Sequence, residues 1–357
     1  MESREITIAV VPRERFSYTR AALEALYQHT NQPFHLVYVD AGSPPRVRRY
    51  LESAARDRGF DLIRSDGLLV PNRARNLALA QVRTKYVVFI DNDVIVSPGW
   101  LPPLVECAEE TNAAVVGPLL CESLPLHSTI HFAGGDSHID IGQREGCVER
   151  HLIETILRQG QRVADVRHEL RRVQTEVAEF HCMLVRTSVF DGLGQFDEAM
   201  LTLLDHIDFC LEVARAGGSI YFEPASIVTW AGYEPLALSD IPFFLLRWGN
   251  RWTRATLDHL CNKWQLTEDP QFQQHWTERV PAWRLRDVLV HGSLLRRVPS
   301  WKVQRVLAMG LVPFLSWMSD LVAARHASRP ERVHRIQSWM AAPTTSRAAT
   351  ARPPAGL

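Results

Sequence analysis

Along the first hundred residues, short apolar runs alternate with segments whose apolar residues recur at helical spacing. Ile6–Val11 and Phe34–Val39 read as strands, and Tyr86–Ile90, β-branched and aromatic without a polar face, reads as a strand buried on both sides of a parallel sheet. Between them, Thr19–Tyr27 places Ala22, Leu23 and Leu26 on one helical face, Val47–Arg58 is helical by pattern, Asp61–Asp66 is a short third strand, and Pro71–Ala80 opens another helix. Alternation at this spacing implies βαβ units with right-handed crossovers, so the expected class is α/β, a mostly parallel sheet with helices on both faces.

After Trp100 the pattern predicts a helix over Leu101–Thr111 and a strand over Ala114–Leu120. Leu124–Glu149, rich in Gly, His and Asp, reads as irregular or short-strand, and the charged Leu152–Val177 as a solvated helix or mobile insert. Glu179–Val185 is a strand, Val189–Phe196 turn-rich, Asp208–Ala216 a helix closed by Gly217 and Gly218, and Ser219–Phe222 a strand. From Glu234 onward Trp248, Trp252, Trp264, Trp276, Trp283 and Trp301 stand among Arg and Lys at helical spacing, which predicts a helical region packed back on the sheet. Val306–Ala323 is apolar but carries Pro313 and Asp320, so a core or interfacial helix is expected rather than a membrane span. Its flanks, Arg296, Arg297, Lys302, Arg305, Arg325 and Arg329, suit peripheral contact with an anionic membrane surface. The Ala341–Leu357 tail has the composition of a disordered segment.

Composition adds bounds. At 357 residues the chain has room for two domains, or for one α/β domain with an appendage. Its 40 acidic and 40 basic residues give no bulk electrostatic reason to expect nucleic acid as a partner. The start, Met1 to Glu5, runs straight into a strand, so no signal peptide and a cytoplasmic location are expected. The 6 cysteines lack C-x-x-C spacing, which points to buried free thiols.

The candidate chemistry begins at Asp91-Asn92-Asp93, at the C-terminal end of the Tyr86–Ile90 strand. Open α/β sheets bind ligands at that edge. Paired carboxylates there can hold a hard divalent cation that also takes diphosphate oxygens. An Asp-Asn-Asp turn that only ends the strand is the plainer alternative.

The order of further motifs resembles the family-2 glycosyltransferases of the GT-A fold. The resemblance rests on Val11-Pro12, Val39-Asp40-Ala41-Gly42-Ser43, Ala74-Arg75-Asn76, Phe89 to Val94, His131 to Gly135, Gly194 to Glu198, Asp205 to Leu211, Ala216 to Gly218 and Pro224 to Val228. It implies a GT-A domain over about 1–235, with a nucleotide-binding half to about 118 and an acceptor half from 119, followed by a helical region over 236–335 and a disordered tail over 336–357.

The resemblance further implies a nucleotide-diphosphate sugar as donor and a hydroxyl-bearing acceptor, glycan or natural product. Asp40 would accept from the nucleotide base, while Pro12, Arg13 and Arg15 in the loop after the first strand, with Arg75, Asn76 and Asn92, would contact the rest of the nucleotide. Asp91 would face the ribose or a metal-bound water, and Asp93 would ligate Mg2+ or Mn2+, whose role is Lewis-acid neutralisation of the leaving diphosphate. The family's base is the aspartate of a Glu-Asp-x-Asp motif, which here reads Asp205-His206-Ile207-Asp208. The base is then Asp205, the preferred reading, or His206; Asp208 would brace the helix start or face the acceptor. Many metal-dependent relatives carry a histidine after Pro224, where this chain has Thr229-Trp230, and Trp230 would stack on a sugar face. His127, His131 and His138 offer themselves as substitute ligands but read better as structural or acceptor-facing, and Glu179 and His181 fall where relatives line the acceptor pocket. Trp248 and Trp252, with Arg247 and Arg251, resemble an acceptor-side element, although core packing is the expectation for most of the tryptophans. The implied activity is inverting, metal-dependent glycosyl transfer; the alternatives are a retaining transferase and a non-catalytic nucleotide-sugar-binding protein. Sugar, nucleotide, acceptor and oligomeric state are not legible.

Overall fold

The computed structural model describes residues 5–144, 146–232, 236–285, 300–327 and 331–336. Four buried strands form its first half: β1 (Ile6–Val11), β2 (His35–Ala41), β3 (Asp61–Ser65) and β4 (Tyr86–Asp91). They lie in the order β3-β2-β1-β4, all parallel, so their C-terminal ends share one edge. The connecting helices are α1 (Thr19–His29), α2 (Pro45–Arg58) and α3 (Pro71–Leu79). Proline at the first helical position starts α2 and α3, and Gly59 in the left-handed region ends α2. Right-handed crossovers carry the chain outward from β1 to β3 with α1 and α2 in contact on one face, then back across β1 and β2 with α3 on the other. The reversal leaves a crevice between the ends of β1 and β4, where ligands of open α/β sheets bind.

Next come β5 (Val94–Val96), α4 (Leu101–Thr111), β6 (Val115–Glu122), β7 (Thr129–Phe132), β8 (Gly135–Arg144), β9 (Cys147–Ile156), α5 (Val163–Val166), β10 (Val173–Thr175), β11 (Cys182–Arg186), α6 (Val189–Leu193), α7 (Asp205–Arg215) and β12 (Ile220–Trp230). Antiparallel β11 bridges β4 to β6, β12 runs parallel to β6, and β5 folds onto the end of β12, completing an 11-stranded mixed sheet with β7, β10 and β13 (Val333–Ile336).

The middle of the chain departs from its pattern. Leu124–Glu149 and the start of the charged segment pair as the long hairpin β8–β9, so Leu152–Ile156 is strand, neither helix nor loose insert. Both faces of the hairpin are largely wet, which removes the apolar alternation that marks a strand. Its far strand is tied down at Arg150, whose N–H bonds Thr267 Oγ1 and whose Nε bonds the Trp264 carbonyl.

The C-terminal region contributes α8 (Ile241–Arg247), α9 (Asn250–Trp264), α10 (Pro270–Gln274), a π-helical turn His275–Arg279 and α11 (Trp301–Ala327). Phe244, Leu245, Trp248, Leu257, Leu260 and Trp264 join the same core as the sheet. The expected helical stretch ends differently: Val333–Ile336 is a strand, antiparallel to β3. The tail expected to be disordered lies outside the described residues from 337 onward. No helix among the described residues is long and apolar enough to cross a membrane. Cys107, Cys121, Cys182 and Cys210 are buried free thiols as expected, whereas Cys147, on the hairpin, is exposed.

The root of the hairpin is tightly packed: a Cβ on Gly135 would collide with the carbonyl oxygen of Thr155. Gly135→Ala should therefore cost about 1–3 kcal/mol through overpacking, read as a lowered midpoint in urea unfolding. An unchanged midpoint would show that the hairpin root yields freely.

Candidate active site

The turn after β4 holds the loop after β1. Asn92 N donates to the Val11 carbonyl at 2.9 Å, Asn92 Oδ1 accepts from Arg13 N at 2.8 Å, and Asn92 Nδ2 donates to Arg15 O and Thr19 Oγ1. Asn92 is thus occupied as a latch, and the latch sets Arg13 and Arg15 over the crevice, just beyond Pro12. Arg13 reaches Asp91 Oδ2 at 3.2 Å and lies 5.5 Å above the Trp230 ring. Arg15 spends one guanidinium nitrogen on the Gly232 carbonyl, while its Nε and Nη1 are buried without a partner among the described residues.

Asp93 is the complementary case. It is 0% exposed, and neither carboxylate oxygen has a hydrogen-bond partner among the described residues. Burial, then the neighbouring Asp91 and Glu14 carboxylates, push its pKa up to about 8, against the pull of Arg13 and Arg15. A carboxylate without partners in the interior is costly unless a cation is supplied. The chemistry of the site therefore fits a hard divalent ion at Asp93, with Asp91 beside it.

Helix α7 separates its first residues by direction. Asp205 Oδ2 receives Arg75 Nη1 at 2.5 Å inside the protein, where Arg75 also bonds Asn72 Oδ1 and packs on Phe180 at 3.6 Å. Burial opposes ionisation of Asp205, but Arg75, His206 and Arg247 outweigh it and hold the acid well below the usual carboxylate range. Asp205, the preferred candidate for the base, is thus committed to Arg75, and its lowered pKa makes it a weaker proton acceptor than His206. Asp208, one turn on, takes Lys263 Nζ at 2.7 Å and Trp264 Nε1 at 2.8 Å, so it anchors α9 and does not face the acceptor. His206 lies about 100° round the helix from Asp205 and lines the main cavity. Burial disfavours its charged form, yet Asp205, Glu179 and Glu154 raise its pKa above the ordinary imidazole value.

Three more expectations change. Arg75 is consumed by Asp205, so it offers no cation to a phosphate. Asn76, 3% exposed, spends its amide on both backbone groups of Phe196 and on Glu198, holding the loop before α7. Asp40 bonds Ser43 N at 2.9 Å in a local turn and pairs with Arg64, so its acceptor atoms are already engaged.

The main cavity, about 590 Å³, lies between the hairpin, the Glu179–His181 segment, the start of α7 and the C-terminal helices. Glu179, His181, His131 and His206 line it. His131 Nδ1 is 2.6 Å from Glu122 Oε2, and its Nε2 is 3.4 Å from Glu179 Oε2; His181 Nδ1 lies 3.0 Å from Asp91 Oδ2 without hydrogen-bond alignment, and its Nε2 is 3.4 Å from the same Glu179 oxygen. Of the other candidate histidines, His127 bonds Thr229 Oγ1 and His138 bonds Glu176 on the hairpin. Trp230 is fully buried, enclosed by His181, His131, Arg13 and Arg284, so it presents no face to a sugar.

The aromatic wall of the cavity is instead Trp248, Trp276 and Trp283, with Arg279 and Arg284. Their cluster was visible in the sequence as tryptophan crowded with arginine; of the pair the resemblance put forward, Trp248 lines the cavity and Trp252 packs in a core cluster, while Trp276 and Trp283 were not singled out. Glu154, on the hairpin, carried no local signal at all. Arg247 reaches Glu14 at 3.4 Å, and Trp248 Nε1 bonds the same oxygen at 2.9 Å.

Comparison with known proteins follows from this geometry. The pre-mycofactocin glycosyltransferase of Mycobacterium tuberculosis is 24% identical over 226 residues, 63% of this chain and 42% of that protein. The chain therefore spans about two fifths of that relative's length. The teichoic acid poly(glycerol phosphate) polymerase of Staphylococcus epidermidis is 32% identical over 94 residues, 25% of this chain and 13% of that one. Among solved structures, the mannosyltransferase PcManGT of Pyrobaculum calidifontis, in complex with GDP-Man and Mn2+, aligns over 91% of this chain and 85% of its own at 15% identity, with a TM-score of 0.47. Residues 7–123 match the family model described as Glycosyl transferase family 2. That stretch, about a third of the chain, holds the arginine loop and the Asp91–Asp93 turn and is similar to glycosyl transferase family 2.

Proposed function

We propose that this chain transfers a sugar from a nucleoside-diphosphate donor to an acceptor hydroxyl, with inversion at the anomeric carbon. One observation carries the reading: at the crevice between β1 and β4, among the described residues, Asp93 is buried with neither oxygen hydrogen-bonded and Arg15 keeps two buried nitrogens without a partner. A divalent metal and a diphosphate answer those two needs together. When bound, Mg2+ or Mn2+ at Asp93 supplies Lewis-acid stabilisation of the leaving diphosphate. Arg13 and Arg15 add cationic charge on the same side, held in place by Asn92.

The acceptor occupies the cavity walled by Trp248, Trp276 and Trp283. His206, directed into that cavity, takes the proton from the attacking hydroxyl. Asp205, 3.8 Å from His206 Nδ1, is a positioning residue that raises the basicity of the ring and pins the start of α7 through Arg75. One displacement assisted by one base gives inversion, which supports that outcome over retention.

Three measurements test this scheme. Asp93→Asn should remove Mn2+-dependent turnover of nucleotide sugars and should abolish stabilisation of the protein by Mn2+ with nucleoside diphosphate in thermal unfolding. Retained metal dependence in that variant would sink the site. Binding without turnover in the wild type would favour a nucleotide-sugar-binding protein instead.

His206 works as a base only when neutral, so kcat/KM should rise with pH through a value above about 6.5, the ordinary imidazole pKa. His206→Gln should abolish that limb and lower kcat by roughly 10²- to 10⁴-fold. A limb that survives the substitution assigns the base elsewhere.

The bracing role of Asp205 has a separate readout in stability. Arg75→Ala leaves a buried carboxylate without its partner and should cost about 3–5 kcal/mol at neutral pH. Because the folded Asp205 pKa is depressed, its contribution is present above about pH 4 and lost as pH falls below that value. The acid-side loss of stability should therefore be smaller in Arg75→Ala than in the wild type; equal losses would refute the brace.

A further inference from the structure

The geometry points to a second metal site, for a borderline ion such as Zn2+, formed by His131 Nε2, His181 Nε2 and Glu179 Oε2 on the wall of the acceptor cavity. Strand β7 delivers His131, and the segment entering β11 delivers the other two. The three ligand atoms lie within 4.8 Å of one another. Each Nε2 stands 3.4 Å from the Glu179 oxygen. That is long for a charge-assisted hydrogen bond. It is the edge of a tetrahedron: ligands at about 2.1 Å from zinc sit about 3.4 Å apart.

The surroundings of the two rings support the same assignment. A metal-bound histidine almost always has a carboxylate or carbonyl at its other nitrogen, which fixes the ring and raises its donor strength. Here His131 Nδ1 meets Glu122 at 2.6 Å, which fixes that ring; His181 Nδ1 lies 3.0 Å from Asp91 without hydrogen-bond alignment, a carboxylate within reach of the second ring. Trp230 packs against both rings, at 4.5 Å from His181 and 5.1 Å from His131. Two imidazoles and one carboxylate, all on the cavity wall, are thus gathered with each Nε2 beside the same Glu179 oxygen.

The donor set separates this site from Asp93. Oxygen ligands alone suit Mg2+ or Mn2+, whereas imidazole suits zinc and its neighbours. Three protein ligands leave the fourth tetrahedral position to an oxygen entering from the cavity, a water or a hydroxyl or anionic oxygen of the acceptor. The site does not rest on the transfer reading, since metal binding alone reports it.

The test uses the full chain, stripped with EDTA and kept in excess Mg2+ so that hard-ion sites are occupied. Isothermal titration with Zn2+ should show one equivalent bound, and Co2+ should give the visible absorption of a four- or five-coordinate nitrogen–oxygen site. His131→Ala and His181→Ala should each weaken Zn2+ by at least about 100-fold and abolish the Co2+ bands; Glu122→Gln should weaken it by about 10- to 100-fold. Asp93→Asn should leave Zn2+ affinity unchanged. Failure of the wild type to bind Zn2+, or Zn2+ affinity and Co2+ bands unchanged in a folded His131→Ala/His181→Ala double variant, would overturn the site. Loss of Zn2+ binding in a folded Asp93→Asn would also overturn it, by assigning the ion to the other pair of carboxylates.

Discussion

The structure turns on a set of charges withdrawn from water at one edge of the sheet. Glu14, Asp91, Asp93 and Asp205 are nearly inaccessible there, with Arg15, Arg75 and Arg247 buried among them and Arg13 almost so. Each such group is expensive to desolvate, and only close pairing repays the cost. Arg75 takes Asp205, Arg13 takes Asp91, and Arg247 takes Glu14. Among the described residues, what the pairing leaves without a hydrogen bond is one carboxylate, Asp93, and guanidinium nitrogens that include Nε and Nη1 of both Arg15 and Arg247. The fold therefore carries an electrostatic debt of both signs at a single place. That debt is a better guide to the ligand than the D-x-D spacing, because it follows from where the charges are and not only from which residues they are.

Helical geometry then divides labour within one short motif. Asp205 and Asp208, three residues apart, point back into the protein, toward Arg75 and toward Lys263. His206 is carried round to the cavity by the rotation per residue. The two carboxylates stiffen the helix start, and the neutralisable ring is left at the wet side.

Much of the first half was legible because its strands are buried on both faces and its helices on one, so apolar pattern maps directly onto position. The helix over Leu101–Thr111 matches residue for residue, the first strand ends at Val11 where the pattern put it, and the central strand runs one residue beyond its expected end, to Asp91. The hairpin β8–β9 escaped because a solvated strand has no apolar face to betray it. The site was legible as a list and not as a set of partners. Asp91, Asp93, Arg13 and Arg15 gather at the crevice, yet Arg75 and Asn76, which look like nucleotide ligands by position, are spent on residues more than a hundred positions away. Trp230 looks like a sugar platform until its neighbours, from four separate segments, close over it. Such facts depend on contacts between distant parts of the chain, which no local pattern encodes.

Those same distant contacts explain what the C-terminal helices contribute. Arg247 and Trp248 both engage Glu14, which stands between Arg13 and Arg15 in the loop that Asn92 latches. The loop is thus held from two sides, by the turn after β4 and by the end of α8. Trp248 also faces the acceptor cavity, and Arg284 stacks on it at 4.6 Å. One tryptophan therefore touches both the crevice and the cavity: its indole N–H bonds Glu14, between Arg13 and Arg15, and its ring lines the cavity wall. A shift of α8 that changed the cavity would also change the field at Asp93, since Arg247 and Trp248 cannot leave Glu14 without exposing a buried negative charge beside it. The helical region is in this sense part of the electrostatics of the crevice.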